Sequence, residues 1–262
     1  MLTVRRSLIG ALALWIATAW PPALGEPPAD GRWEPVPELT DEFKRPRLDD
    51  AMWLDHYPKW DGRKPGYFSP KNVAVSDGKL QITARMEDLP GLPEGYHTFT
   101  TGAVRSKVAV KYGYFEIKCR PMRSKASSGF WFNEGSPGWW TEIDVFEVGP
   151  VGGQRERTIF TSGHVFRAPG LEKGFAKPGK WEAPFNLADD YHTHALLWEK
   201  DMITFYVDGV VFRQMENTHW HNPSHLNLNS EIKQSWFGLP DKEELPATFS
   251  IEYVRSWRRV VE

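Results

Sequence analysis

Apolar and polar residues alternate with a period of two along most of this chain, in short runs broken by turn residues. Val73-Ala74-Val75 and Leu80-Gln81-Ile82-Thr83 flank Ser76-Asp77-Gly78, the composition of a hairpin closed by an Asp-Gly turn. Ile203-Thr204-Phe205-Tyr206-Val207, then Asp208-Gly209, then Val210-Val211-Phe212 repeats that logic. Near the C-terminus Phe249, Ile251 and Tyr253 alternate with Ser250 and Glu252, which predicts a half-buried final strand. Helical spacing is not sustained; a single turn is expected near Leu187-Ala188-Asp189-Asp190. Many short strands with Gly, Pro and Asp turns predict an all-β sandwich or jelly roll, one domain over residues 38–262. Residues 26–37 carry many prolines and no period, and read as a flexible lead-in.

Length and charge narrow the picture. The 262 residues give room for one large core. Residues 1–25 stand apart: Arg5 and Arg6 precede an apolar run over residues 8–20, and Ala23-Leu24-Gly25 offers small residues for cleavage. The run falls short of the ~20 residues that span a bilayer. A removable export signal is therefore expected, with an uncleaved anchor as the alternative, and the protein is expected to be secreted or periplasmic. The Arg-Arg pair leaves Sec and twin-arginine routes both open. The net charge of −2 becomes more negative once Arg5 and Arg6 are removed. No basic stripe suggests nucleic acid or an anionic membrane as partner, and a monomer is expected. The single cysteine, Cys119, excludes an internal disulfide. It lies in phase with Phe115 and Ile117, as a buried structural thiol would. Part of the 13 Trp, 8 Tyr and 15 Phe serves the core; such rings also stack on the apolar faces of sugars, and composition alone does not decide between the two.

The chemistry concentrates in Trp139-Trp140-Thr141-Glu142-Ile143-Asp144-Val145-Phe146-Glu147-Val148. Strand alternation puts Glu142 and Asp144 on one face, with Ile143 and Val145 facing the core. Simple alternation would send Glu147 inward, where a charge is unfavourable. A β-bulge at Val145 and Phe146 restores the phase and returns Glu147 to the acidic face. The Glu142 and Glu147 α-carbons are then roughly 13 Å apart, at about 3.3 Å per strand residue. Crowded carboxyls do not all ionise freely, so one retains a proton near neutral pH. A proton donor beside a carboxylate is what glycosidic cleavage requires. A calcium site or a solvated acidic strand would use the same residues.

Glu142-Ile143-Asp144-Val145-Phe146-Glu147, preceded by Ser128-Gly129-Phe130-Trp131-Phe132, resembles the E-x-D-x-x-E signature of glycoside hydrolase family 16. The resemblance extends to the first hairpin at residues 72–80, to Arg105-Ser106-Lys107 with Tyr112-Gly113-Tyr114-Phe115-Glu116, and to residues 191–209. Glu252-Tyr253-Val254-Arg255-Ser256-Trp257 resembles the closing strand. Most of residues 38–258 is covered. The resemblance implies a β-jelly roll with a concave glycan cleft and retaining endo-hydrolysis. By position it makes Glu142 the nucleophile, Asp144 its helper and Glu147 the acid/base.

The bulged spacing resembles the laminarinase, agarase and carrageenase branches rather than the unbulged lichenase form. Residues 60–68, Ser162-Gly163-His164-Val165-Phe166-Arg167 and Trp236-Phe237-Gly238-Leu239-Pro240 look more like the red-algal galactan enzymes. An agarase-, porphyranase- or carrageenase-like activity is expected, with laminarinase as runner-up. Trp131 would stack on the sugar beside the scissile bond, or serve the core instead. Trp140 shares parity with Glu142 and Asp144, so it rather than Trp139 should face the substrate. His164 and Arg167 are candidates for a galactose hydroxyl or a sulfate; Trp60 and Glu231 follow from position within the resemblance. His192 with His194, and His219, His221 and His225 in a Pro-containing loop, lack the acidic or cysteine company of a zinc site. No cofactor is expected. The family often carries a structural calcium, but Glu252 stands where Asp is usual, which counts against that ion. A non-catalytic carbohydrate-binding jelly roll would keep the tryptophans without needing all three acids. A transglycosylase would use the same three residues.

Overall fold

The computed structural model describes residues 25–260. Its strands are β1 (Trp33–Pro35), β2 (Trp53–Leu54), β3 (Gly66–Phe68), β4 (Val73–Ser76), β5 (Lys79–Met86), β6 (Phe99–Thr101), β7 (Ala103–Val110), β8 (Gly113–Arg120) and β9 (Ser128–Gly135). They continue with β10 (Trp140–Val148), β11 (Thr158–Arg167), β12 (Phe175–Glu182), β13 (His192–Trp198), β14 (Met202–Val207), β15 (Val210–Glu216), β16 (Ser224–Asn229) and β17 (Ala247–Arg259). One sheet has the order β15-β14-β13-β8-β17-β5-β6-β3, with β1 beside β17 and β4 beside β5. The other runs β12-β11-β10-β9-β16-β7-β2. This is the all-β jelly-roll sandwich that the alternation predicts.

The two predicted hairpins form as β4–β5 and β14–β15. Asp77 and Gly78 have φ of 52° and 68°, and Asp208 and Gly209 have 47° and 73°. Positive φ at both central residues is what a tight turn matched to strand twist demands. The inner faces meet through aromatic rings. Phe115 of β8 lies 4.9 Å from Phe132 of β9, and Phe146 of β10 lies 5.9 Å from Phe249 of β17. Cys119 is buried in this core, where burial pushes its thiol far above the ordinary range. No helix among the described residues is long and apolar enough to cross a membrane.

Residues 187–189 form the expected single turn. Three local expectations are corrected. β17 departs from clean alternation at one place: Glu252 stays partly exposed, but Ser250 is as buried as Phe249 and Ile251, covered by Tyr191, whose hydroxyl donates to it at 2.8 Å. The stretch read as a flexible lead-in contains β1, which pairs Trp33, Glu34 and Pro35 with the end of β17. The Trp33 indole donates to the Pro28 carbonyl at 2.8 Å and lies under the Arg259 guanidinium. Proline-rich sequence does not prevent edge pairing when a Trp has a surface to cover. His225 lies in β16 rather than in a loop. Of the expected export signal, only Gly25 falls among the described residues.

Candidate active site

Strand β10 carries the acidic face. Its register with β9 runs Glu142 opposite Asn133, Asp144 opposite Trp131, then Phe146 opposite Phe130 and Glu147 opposite Gly129. Val145 is the extra residue, and the ladder with β11 shifts at the same place. Val145 and Phe146 are both buried as a result, while Glu147 returns to the outer face beside Glu142 and Asp144. Across the ladder, Gly129 is a close-approach position: a Cβ there would meet the Asn229 amide oxygen at 2.7 Å. That oxygen accepts the Trp131 indole N–H at 3.1 Å, which holds the ring above the acids.

The outer face of β10 opens into a pocket of about 910 Å³. Glu142, Asp144, Glu147, Trp131, Trp140, His164, Arg167, Trp60 and Glu231 all line it. Trp60 comes from the segment between β2 and β3, which folds back so that Tyr57 stacks on Trp60 at 5.4 Å. Both rings stand edge-on to Trp131, at 5.7 and 6.3 Å. At the other end, Trp140 lies 4.5 Å from Phe166 and under the Arg167 guanidinium. Trp139 turns away and donates to the His219 carbonyl. Apolar rings at both ends, with charges between them, form a surface suited to a polymer with alternating apolar and polar faces.

The charges are closely coupled. Burial pushes Glu142 well above the ordinary carboxylate range, and the charges of Asp144 and Glu147 push it further. Burial and Asp144 raise Glu147 to about 7, against the opposing pull of Lys233. Asn133 donates to the Glu142 carboxylate at 3.2 Å. The His164 ring Nε2 lies 3.2 Å from Asp144, and that contact raises the imidazole despite its burial. Glu231 forms an ion pair with Arg63 at 2.5 Å and accepts from the Asn229 amide at 3.0 Å. Burial would raise it, but Lys233 and Arg63 hold it below its ordinary value.

A family model described as the GH16 domain of β-porphyranases A–D matches residues 33–259. The chain belongs to glycoside hydrolase family 16. β-Porphyranase B of Zobellia galactanivorans is 28% identical over 259 residues, covering 87% of this chain and 85% of that protein. Glucan endo-1,3-beta-glucosidase A1 of Niallia circulans is 27% identical over 258 residues, 83% of this chain but 37% of that protein. The crystal structure of porphyranase B from Zobellia galactanivorans superimposes with a TM-score of 0.80 at 26% identity, over 93% of this chain and all of that one. Family membership makes this chain an endo-acting glycoside hydrolase rather than a carbohydrate-binding module.

Within this family 16 chain, several pocket residues escaped the sequence reading. Asn133 shares parity with Trp131 and opposes Glu142, so alternation along β9 would have found it. Lys233 shares parity with Glu231 and reaches Glu147. Tyr57 and Arg63 leave no periodic signal, because they sit on irregular chain between β2 and β3. Trp220 is buried beneath the site and donates to the carbonyls of Glu142 and His164 at 2.8 and 3.1 Å.

Glu142, Asp144 and His164 place one ligand-type atom each within 4.8 Å of the others. Two carboxylates and an imidazole do not supply the six to eight oxygens that calcium takes. At the closing strand Glu252 is paired to Lys118 at 2.9 Å, in a hollow lined also by Glu42, Lys44, Lys79 and Arg255. His192 pairs with Asp208 at 2.6 Å, and His194 is buried beside Phe146 with its pKa pushed down to about 3 by desolvation.

Proposed function

We propose that this chain is a retaining endo-hydrolase of a red-algal galactan of the porphyran or agar type. The observation that carries the reading is the bulged β10, which sets Glu142, Asp144 and Glu147 side by side in an aromatic-walled pocket. The galactan assignment is supported by the match to the porphyranase family model.

In this mechanism the sugar lies along the pocket, stacked on Trp131, with Trp60 and Trp140 toward its ends. The Glu142 carboxylate attacks the anomeric carbon while Glu147 gives its proton to the departing glycosidic oxygen. The C–O bond breaks and an ester to Glu142 forms. Glu147, now a carboxylate, takes a proton from water; the water oxygen attacks the same carbon and frees Glu142 with configuration retained. Asp144 is the helper. It raises the proton affinity of Glu147, the acid, and is itself held by His164. His164 thus has a positioning task besides any contact with a galactose hydroxyl. Arg167 lies over Trp140, where its guanidinium can meet a sulfate at the pocket edge. The protein acts outside the cytoplasm, after removal of residues 1–25, as Arg5, Arg6 and the apolar run suggest.

An endo-β-1,3-glucanase with the same three acids is the second reading, favoured by the likeness to the glucosidase from Niallia circulans. Reducing-sugar release from porphyran, agarose, carrageenans and laminarin separates the two. Cleavage of porphyran or agarose, with the β-anomer formed first by NMR, is expected. Cleavage of laminarin alone would overturn the galactan assignment, and an inverted anomer would overturn the double displacement.

A further inference from the structure

A row of alternating charges crosses the pocket wall. Arg63 pairs with Glu231, Glu231 lies 3.6 Å from Lys233, and Lys233 is in ion-pair contact with Glu147. Arg63 is half exposed at one end, whereas the side chains of Glu231 and Lys233 are only 6% and 9% exposed. A buried ammonium with two carboxylates in reach has nowhere else to discharge. The other charged or titratable groups acting on Glu147 are Asp144 on the same strand and His164 on β11, with Glu142 further along β10 and Arg63 at longer range, without an ion-pair contact to Glu147. Lys233 is therefore the cation placed to sense whether Glu147 carries its proton.

We propose that Lys233 is a positioning residue for catalysis, a counter-ion shared between Glu147 and Glu231 that sets when Glu147 acts as acid and when as base. This rests on the reading of Glu147 as the acid/base. When Glu147 holds the proton it offers Lys233 no charge, and the ammonium leans to Glu231. When the proton has gone to the glycosidic oxygen, Lys233 returns to the Glu147 carboxylate and stabilises it while water approaches. Glu231 is then the alternative seat for the ammonium, and Arg63 and Asn229 keep that seat ionised. Asp144 works against Lys233 and favours the proton. Two opposed influences of this kind place the titration of a buried acid near neutrality instead of at either extreme.

The two partners of the ammonium make the test directional. Lys233→Met removes a positive charge beside Glu147, so the alkaline limb of kcat/KM against pH should move up by a pH unit or more. Turnover above the native optimum should slow at the hydrolysis of the glycosyl-enzyme, visible as a burst. Glu231→Gln removes a negative charge and leaves the ammonium to Glu147 alone, so the alkaline limb should move down. Lys233→Arg should restore the native limb and keeps the test open if Lys233→Met folds poorly. Shifts of opposite sign support the proposal, because loss of packing alone moves neither limb in a defined direction. Unmoved limbs, or limbs moving the same way in both variants, overturn it. Glu147→Gln, measured alongside, keeps the two questions apart. Its inactivity with unmoved limbs in the others would sink the shared counter-ion and leave the acid/base in place. Full activity of Glu147→Gln would sink the acid/base reading itself.

Discussion

Two places in this sandwich bury acidic side chains, and they are built in opposite ways. In the ten-stranded sheet Glu116 on β8 is 1% exposed and accepts the hydroxyls of Tyr253 and Tyr114 at 2.6 and 3.0 Å. On the seven-stranded sheet Glu142, Asp144 and Glu147 share a pocket with Glu231, from the chain just after β16, and with one buried ammonium. Burial raises the proton affinity of Glu116 and of Glu147 alike. A raised pKa is therefore no mark of chemistry by itself. What differs is the company: Glu116 has neutral donors and a covered position, whereas Glu147 has like charges and an opening through which a substrate can reach it.

The largest contrast should appear in turnover. Glu142→Gln and Glu147→Gln should each lower kcat/KM on the preferred galactan by roughly 10³-fold, the scale of a lost nucleophile or general acid. Glu116→Gln should leave it unchanged, and an equal loss there would erase the distinction between the two sites. A smaller contrast lies in the pH dependence of stability. Folding raises Glu147 from 4.5 to about 7, so the folded state favours the protonated form. Native stability from this group is full below pH 4.5 and is lost as pH climbs through about 7. At about 1.4 kcal/mol per pH unit the decline is on the order of 3 kcal/mol. Glu147→Gln lacks that decline, so its Tm relative to the native chain should improve from pH 4.5 to pH 8. A constant difference would mean that Glu147 is not perturbed. The smallest effect is expected from Tyr253→Phe. Removing one donor from buried Glu116 should lower stability by about 1–3 kcal/mol in urea unfolding, with no change in the pH profile of activity.

Much of this contrast is legible in the sequence, for a local reason. The bulge at Val145 and Phe146 follows from one charge, Glu147, that has no place in the core, and a period-two strand offers one remedy. Trp140 over Trp139 follows from the same parity. What the sequence conceals depends on segments that meet across the fold. Lys233 lies 86 positions from Glu147 and meets it only because β16 runs beside β9 and β9 beside β10. Tyr57 and Arg63 reach the pocket on irregular chain, where side-chain direction has no period to betray it. β1 was hidden because three residues beside prolines carry too little pattern, although the end of β17 supplies the pairing. The Tyr114–Glu116–Tyr253 group shows half of itself: Tyr114 and Glu116 share parity on β8, but the second hydroxyl arrives from β17.

The link between β15 and β16 carries Trp220, whose carbonyl accepts the indole of Trp198 in the far sheet while its own indole donates to the backbones of Glu142 and His164. Connecting segments are ordinarily where a protein drifts freely, gaining or losing residues with little harm. This one is a keystone instead. Gly163 is kept bare to admit its ring, since a Cβ there would meet Trp220 at 2.6 Å. The span that delivers Trp220 cannot change length without tilting both strands beneath the sugar, so natural variation should crowd into the other turns and spare this one.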